Sequence, residues 1–148
     1  MVKKVILGIR EWIVPNMLAI SIGLVYLWFG SLKFFPNMSP AENLAKGTIH
    51  QLTFGFLSEG LAINLLALWE VAVGLLLILN LWQRKVVLIA LVHMVFTFTP
   101  LVLFPLDSFQ QPPWVPTLLG QYIGKNLIIV AALLTLLKED YRNRMINK

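Results

Sequence analysis

Four ionisable side chains, Lys33, Glu70, His93 and Lys125, sit in or at the end of runs that are otherwise almost wholly apolar. Glu70 lies inside LAINLLALWEVAVGLLLILNLW, a stretch long enough to cross a bilayer. A lone carboxylate in hydrocarbon costs several kcal/mol unless it is protonated, paired or facing water. The two amines and the imidazole are the groups available to compensate it. Together they can hold a carbonyl or an anion and can move a proton, which is the chemistry of a binding site. Gln121, Tyr122 and Asn126 stand beside Lys125 at i, i+1, i+4 and i+5, on one face of a helix. So many polar groups in so short a stretch are costly in lipid. The candidate ligand-binding set is therefore Lys33, Glu70, His93, Gln121, Tyr122, Lys125 and Asn126, with no metal site.

Each of these residues also has a plainer reading. Glu70 suits a static pair with Lys125 or Lys33, Lys33 an interfacial anchor, and His93 a satisfied core histidine. The tryptophans and phenylalanines near the span ends suit interfacial belts. Trp69 lies deeper, where it can pack against a flat guest.

Four spans must position this set, at about 13–35, 61–82, 86–104 and 118–137, and they make residues 1–148 one membrane domain. Each reaches across a hydrocarbon core of about 30 Å at about 1.5 Å per residue, with modest tilt. On the same rise Glu70, Lys125 and His93 lie ~13, ~10 and ~16 Å below the outer ends of their spans, and Lys33 ~3 Å. All four can meet in the outer half of a bundle. Within the spans Tyr26, Gly30 and Lys33 share a face, as do His93, Thr97 and Pro100, and Glu70 aligns with Gly74.

Charge sets the orientation. Lys3, Lys4, Arg10, Arg84, Lys85, Lys138, Arg142, Arg144 and Lys148 all fall on one side of a four-span arrangement, and only Lys46 lies in a loop on the other. Short basic segments stay cytoplasmic, so both termini are expected there. Residues 2–13 fit either a helix lying on the anionic inner leaflet or an extension of the first span. In the first outer loop, Ser39-Pro40-Ala41-Glu42 predicts an N-cap, a proline at the first helical position and a capping box. A surface helix follows from Pro40 to about Thr53. The second outer loop, Pro105 to Thr117, carries four prolines and is expected to be stiff and non-helical.

Composition agrees. The 148 residues are 58% hydrophobic and 13% charged, with a mean hydropathy of +0.78, against about 25% charged in soluble domains. The first apolar run is too long for a signal peptide. The chain has no cysteine, which excludes thiol relays, cysteine nucleophiles and thiolate-held clusters or zinc. With only His50 and His93 available, and His50 in a loop, a two-histidine haem is a poor fit. The net charge of +5 lies along membrane-flanking segments, so nucleic acid is not the expected partner.

Three segments carry a family resemblance: GLVYLWFGSLKFFP (23–36), LALWEVAVGLLL (66–77) and PTLLGQYIGKNLIIV (116–130). The glycine–lysine pattern closing the first span, the acid in the second and GQYIGKN make the chain similar to the DoxX-like family of small four-span membrane proteins. The resemblance implies a four-helix bundle in a bacterial inner membrane with Lys33, Glu70 and Lys125 as its polar core. Some relatives are subunits of a thiosulfate:quinone oxidoreductase, and others are tied to redox stress or to assembly of membrane complexes. Thiol-based redox chemistry does not carry over, since this chain lacks cysteine; vitamin K epoxide reductase, similar in span number, is set aside for the same reason.

The expected function is an accessory or assembly subunit of a redox-linked membrane complex, with a polar small-molecule pocket in the outer half of the bundle. The alternatives are a quinone-interacting oxidoreductase subunit, with quinone as the candidate cofactor, and a small transporter or proton pathway. Whether it catalyses anything stays open. The expected partners are the lipid bilayer and other membrane subunits or further copies of the chain.

Overall fold

Long runs of Leu, Ile and Val with few breakers form helices because lipid leaves the backbone no partners but its own. The computed structural model of the chain describes residues 2–39 and 41–146, with side chains for 11–39, 41–143 and 145–146. Helix α1 covers Val2–Leu32 as one piece, with Pro15 inside it. Residues 2–13 thus continue the helix of the first span, and Pro15 lies in the helix interior. The last turn of α1 tightens: the amides of Lys33, Phe34 and Phe35 bond the carbonyls of Gly30, Ser31 and Leu32 at 3.1–3.2 Å. The span therefore ends earlier than Phe35.

Asn37, at φ 64°, turns the chain into α2, Glu42–Leu52. The surface helix begins two residues later than expected. Ala41 stands at its N-cap position and makes no side-chain cap, and Pro40 lies outside the described residues. The expected capping box is replaced by another use of the same acid. Glu42 accepts the Asn37 amide at 2.8 Å and the Lys46 ammonium at 2.7 Å.

Helix α3, Glu59–Ile78, carries Glu70. It stops short of the expected Trp82 because Asn80 and Trp82 take left-handed backbone (φ 53° and 47°) in a tight corner. Helix α4, Gln83–Phe98, follows and carries His93. Pro100 has no N–H for the Phe96 carbonyl. The Thr99 hydroxyl and amide donate to that carbonyl instead, at 2.7 and 3.2 Å. The helix breaks there and resumes as α5, Pro100–Leu103.

The proline-rich loop is not wholly non-helical. Pro105–Ser108 forms one turn, α6, because proline suits a first helical position. Two short antiparallel strands follow, β1 (Phe109–Gln111) and β2 (Val115–Pro116). The last pass is α7, Leu118–Gly124, and α8, Asn126–Ile146, joined at Lys125.

The chain is mostly helical. Four stretches are long and apolar enough to cross a bilayer: Glu11–Leu32, Glu59–Ile78, Gln83–Leu103 and Leu118–Asn143. This is the architecture of a multi-pass membrane protein. Ala19, Ile22, Val73, Leu77, Val87, Ala90, Met94 and Leu133 meet in its core. Trp28, Val95, Leu127 and Ile128 point outward, suited to lipid.

The tightest packing is between α1 and α3, and glycine permits it. A Cβ on Gly74 would stand 2.6 Å from the Leu27 nitrogen and 2.7 Å from the Gly23 oxygen; one on Gly30 would stand 2.8 Å from the Glu70 Cβ. Small residues let transmembrane backbones approach this closely. The seam brings the end of α1 against the middle of α3, where Lys33 and Glu70 meet.

Candidate functional site

Lys33 follows the last turn of α1, so its stem runs back along the helix. Its ammonium donates to Glu70 Oε2 at 2.5 Å and to the Phe29 carbonyl at 3.3 Å. Both side chains of the pair are about one-tenth exposed, at 9% and 10%. The other carboxylate oxygen, Oε1, lies 3.7 Å from His93 Nε2. His93 Nδ1 in turn lies 3.2 Å from the Tyr26 hydroxyl, which also reaches the Ala90 carbonyl at 3.4 Å. The Tyr26 and His93 rings pack tilted, 5.6 Å between centroids.

These contacts link Lys33, Glu70, His93 and Tyr26 across three helices. Tyr26 has one proton for two acceptors. Donated to His93 Nδ1, it leaves the imidazole proton on Nε2, facing Glu70. Donated to Ala90, it leaves the imidazole proton on Nδ1, pointing at the Tyr26 oxygen. The two arrangements differ only in where protons sit.

A second cluster faces the first. Lys125 Nζ stands 3.9 Å from the centre of the Tyr122 ring and 5.0 Å from that of Phe29, and the two rings meet edge to face at 5.7 Å. Lys125 therefore rests on aromatic faces and not on Glu70, whose partner is Lys33.

Between the clusters lies a partly open cavity of about 190 Å³. Six of the seven residues singled out in the sequence line it: Lys33, Glu70, His93, Tyr122, Lys125 and Asn126. Gln121 does not, and is exposed. The stripe that faces inward is Tyr122, Asn126 and Ile129, at i, i+4 and i+7, which puts Gln121 about 100° to one side. Trp69 is 45% exposed and also lies off the cavity. Tyr26 and Phe29 line it and were missed as site residues. Their signal was present in the placement of Tyr26, Phe29 and Lys33 at i, i+3 and i+7.

Helix α2 closes one side with Leu44, Thr48, Ile49 and Leu52. It is tethered by Glu42, whose carboxyl is held below the usual carboxylate range by the Lys46 hydrogen bond and then by the Asn37 amide. The rim is mainly apolar: Val25, Leu52 and Phe96 line the cavity and stay exposed. Among the described residues no three His, Asp or Glu side chains stand together as a metal site. The arrangement can seat a small apolar body, present ammonium and hydroxyl donors to its head, and exchange a proton with it.

No family model, curated protein or solved structure matches this chain.

Proposed function

We propose that this chain binds a small lipid-soluble ring compound with carbonyl oxygens, of the quinone class, as a subunit of a redox-linked complex in a bacterial inner membrane. The observation that carries the reading is the convergence of Lys33, Glu70, His93 and Lys125 on one cavity with an apolar rim. An engineered apolar cavity of about 150 Å³ takes up benzene, so about 190 Å³ admits a substituted ring. The rim favours arrival from lipid, and Phe29 and Tyr122 offer faces for a flat body. The segments similar to DoxX-like proteins carry Lys33, Glu70 and Lys125, consistent with an accessory role beside a partner that supplies the electrons.

The basic residues support an orientation with both termini in the cytoplasm and the cavity in the outer half of the membrane. A scaffold reading has its own support, because the Lys33–Glu70 pair fastens α1 to α3 whether or not a guest is present. A proton or solute pathway has less. In the opposite half the described polar side chains are few: Asn80 donates to Asn16 Oδ1 at 2.8 Å and Asn16 to the Trp12 carbonyl, while Asn80 Oδ1 is buried without a partner.

Mass spectrometry of the protein extracted with its native lipids tests the binding reading. The expected result is a retained ring compound in the wild type that is depleted in Lys125→Ala. Equal retention in both, or none in the wild type, would overturn it.

A further inference from the structure

The charges around the cavity do not cancel. The ionisable groups lining it are Tyr26 from α1 and Lys33 just after it, Glu70 from α3, His93 from α4, and Tyr122 and Lys125 from the last pass. Helix α2 contributes no charge to the lining, since Glu42 and Lys46 are spent on each other outside it. Lys33 and Glu70 neutralise one another at 2.5 Å. His93 is neutral or, when protonated, adds to the positive side. Lys125 remains, and among the described residues no carboxylate stands within ion-pairing distance of it. Its compensation is the faces of Tyr122 and Phe29, which attract a cation more weakly than an anion does. The described lining thus carries one excess positive charge, on Lys125, which is itself exposed beside the apolar rim.

We propose that the guest of this cavity carries an oxyanion, a carboxylate or phenolate on a compact apolar body, seated against Lys125 beside the Phe29 and Tyr122 rings. This rests on the reading of the cavity as a binding site and narrows the class of compound. A neutral carbonyl accepts a hydrogen bond from Lys125 but leaves the charge uncancelled, whereas an oxyanion does both. The Lys33–Glu70 pair then serves as a neutral wall. Glu70, held at Oε2 by Lys33, is kept from competing for Lys125.

The acid of a phospholipid headgroup shares this chemistry. The cavity of about 190 Å³ holds one ring or a short chain whole, whereas a diacyl lipid would enter only by its headgroup and leave its chains outside.

The test uses the full chain in phosphatidylcholine nanodiscs and a hydrophobic nitrophenol whose ionised form alone absorbs in the visible. Its methyl ether has nearly the same shape and cannot ionise. The expected result is that the nitrophenol binds as phenolate at a pH where it is largely neutral in lipid. It should bind about tenfold or more tighter than the ether, the range of one charge-assisted hydrogen bond. Lys125→Gln should remove that preference and Lys125→Arg should keep it.

Equal binding of phenol and ether to the wild type, or a bound phenol that stays neutral, overturns the proposal without reliance on any variant. Displacement of both the phenol and its uncharged ether in nanodiscs of phosphatidylglycerol would assign the site to an anionic lipid headgroup and overturn it as well. Menadione, a neutral quinone, separates the two levels. If it binds and the phenol does not, the acid preference fails and the cavity reading stands. If neither binds, both fall.

Discussion

Replacing Lys33 by Met should destabilise the protein strongly, and replacing Glu70 by Leu as well should restore most of the loss. At 2.5 Å the Coulomb attraction is about 7 kcal/mol for an effective dielectric constant of about 20. Burying each ion to about one-tenth exposure costs several kcal/mol, so the pair nets little. Removing one partner is different, because the desolvation of the other goes uncompensated, at roughly 3–5 kcal/mol. Glu70 without Lys33 has only His93, 3.7 Å away. Lys33 without Glu70 keeps only the Phe29 carbonyl. Lys33→Met and Glu70→Leu should therefore each cost roughly 3–5 kcal/mol, while the double variant should fall within about 1–2 kcal/mol of the wild type. Equilibrium unfolding in mixed micelles, followed by tryptophan fluorescence, measures all four corners of the cycle. Additive losses in the double variant would refute the reasoning, since they would mean that each side chain is stabilised by its own surroundings.

Gly74→Leu should cost about 1–3 kcal/mol or more by overpacking the α1–α3 seam, where a Cβ already meets the Leu27 nitrogen at 2.6 Å; an unchanged melting temperature would contradict so close an approach. The tether of α2 depends on Glu42 being ionised. Its carboxyl is held below the ordinary value of 4.5, so the stability it contributes is present above that value and lost only as pH falls through the lowered one. Hydrogen exchange of the α2 amides should stay slow to pH values below the ordinary range and become fast at neutral pH in Glu42→Gln. The chain has no cysteine, so single substitutions report orientation cleanly. Lys46→Cys should react with an impermeant maleimide from the periplasmic side and Lys85→Cys only after the membrane is opened; the reverse pattern would invert the topology.

The spans were readable in the sequence because crossing a bilayer imposes length and apolarity on each segment separately. Glu59–Ile78 and Gln83–Leu103 follow from their own composition. Span ends were less readable. Asn80 and Trp82 adopt left-handed backbone that neither residue type demands, and this shortens α3. The loop prolines suggested irregular chain, yet Pro105 starts a helical turn because its geometry suits a first position.

The site divides along the same line. Residue types and spacing alone determined that Glu70 needed compensation and that Lys33, His93 and Lys125 were the groups to supply it, since the cost of charge in hydrocarbon is a property of the group. Only the tertiary structure decided which cation took the carboxylate. The glycine seam draws α1 onto α3 and so gives Glu70 to Lys33. The rotation of the last pass lays Lys125 on Phe29 and Tyr122 and turns Gln121 outward. Those choices rest on how helices approach and rotate against one another, and that depends on side chains far apart in the chain packing together.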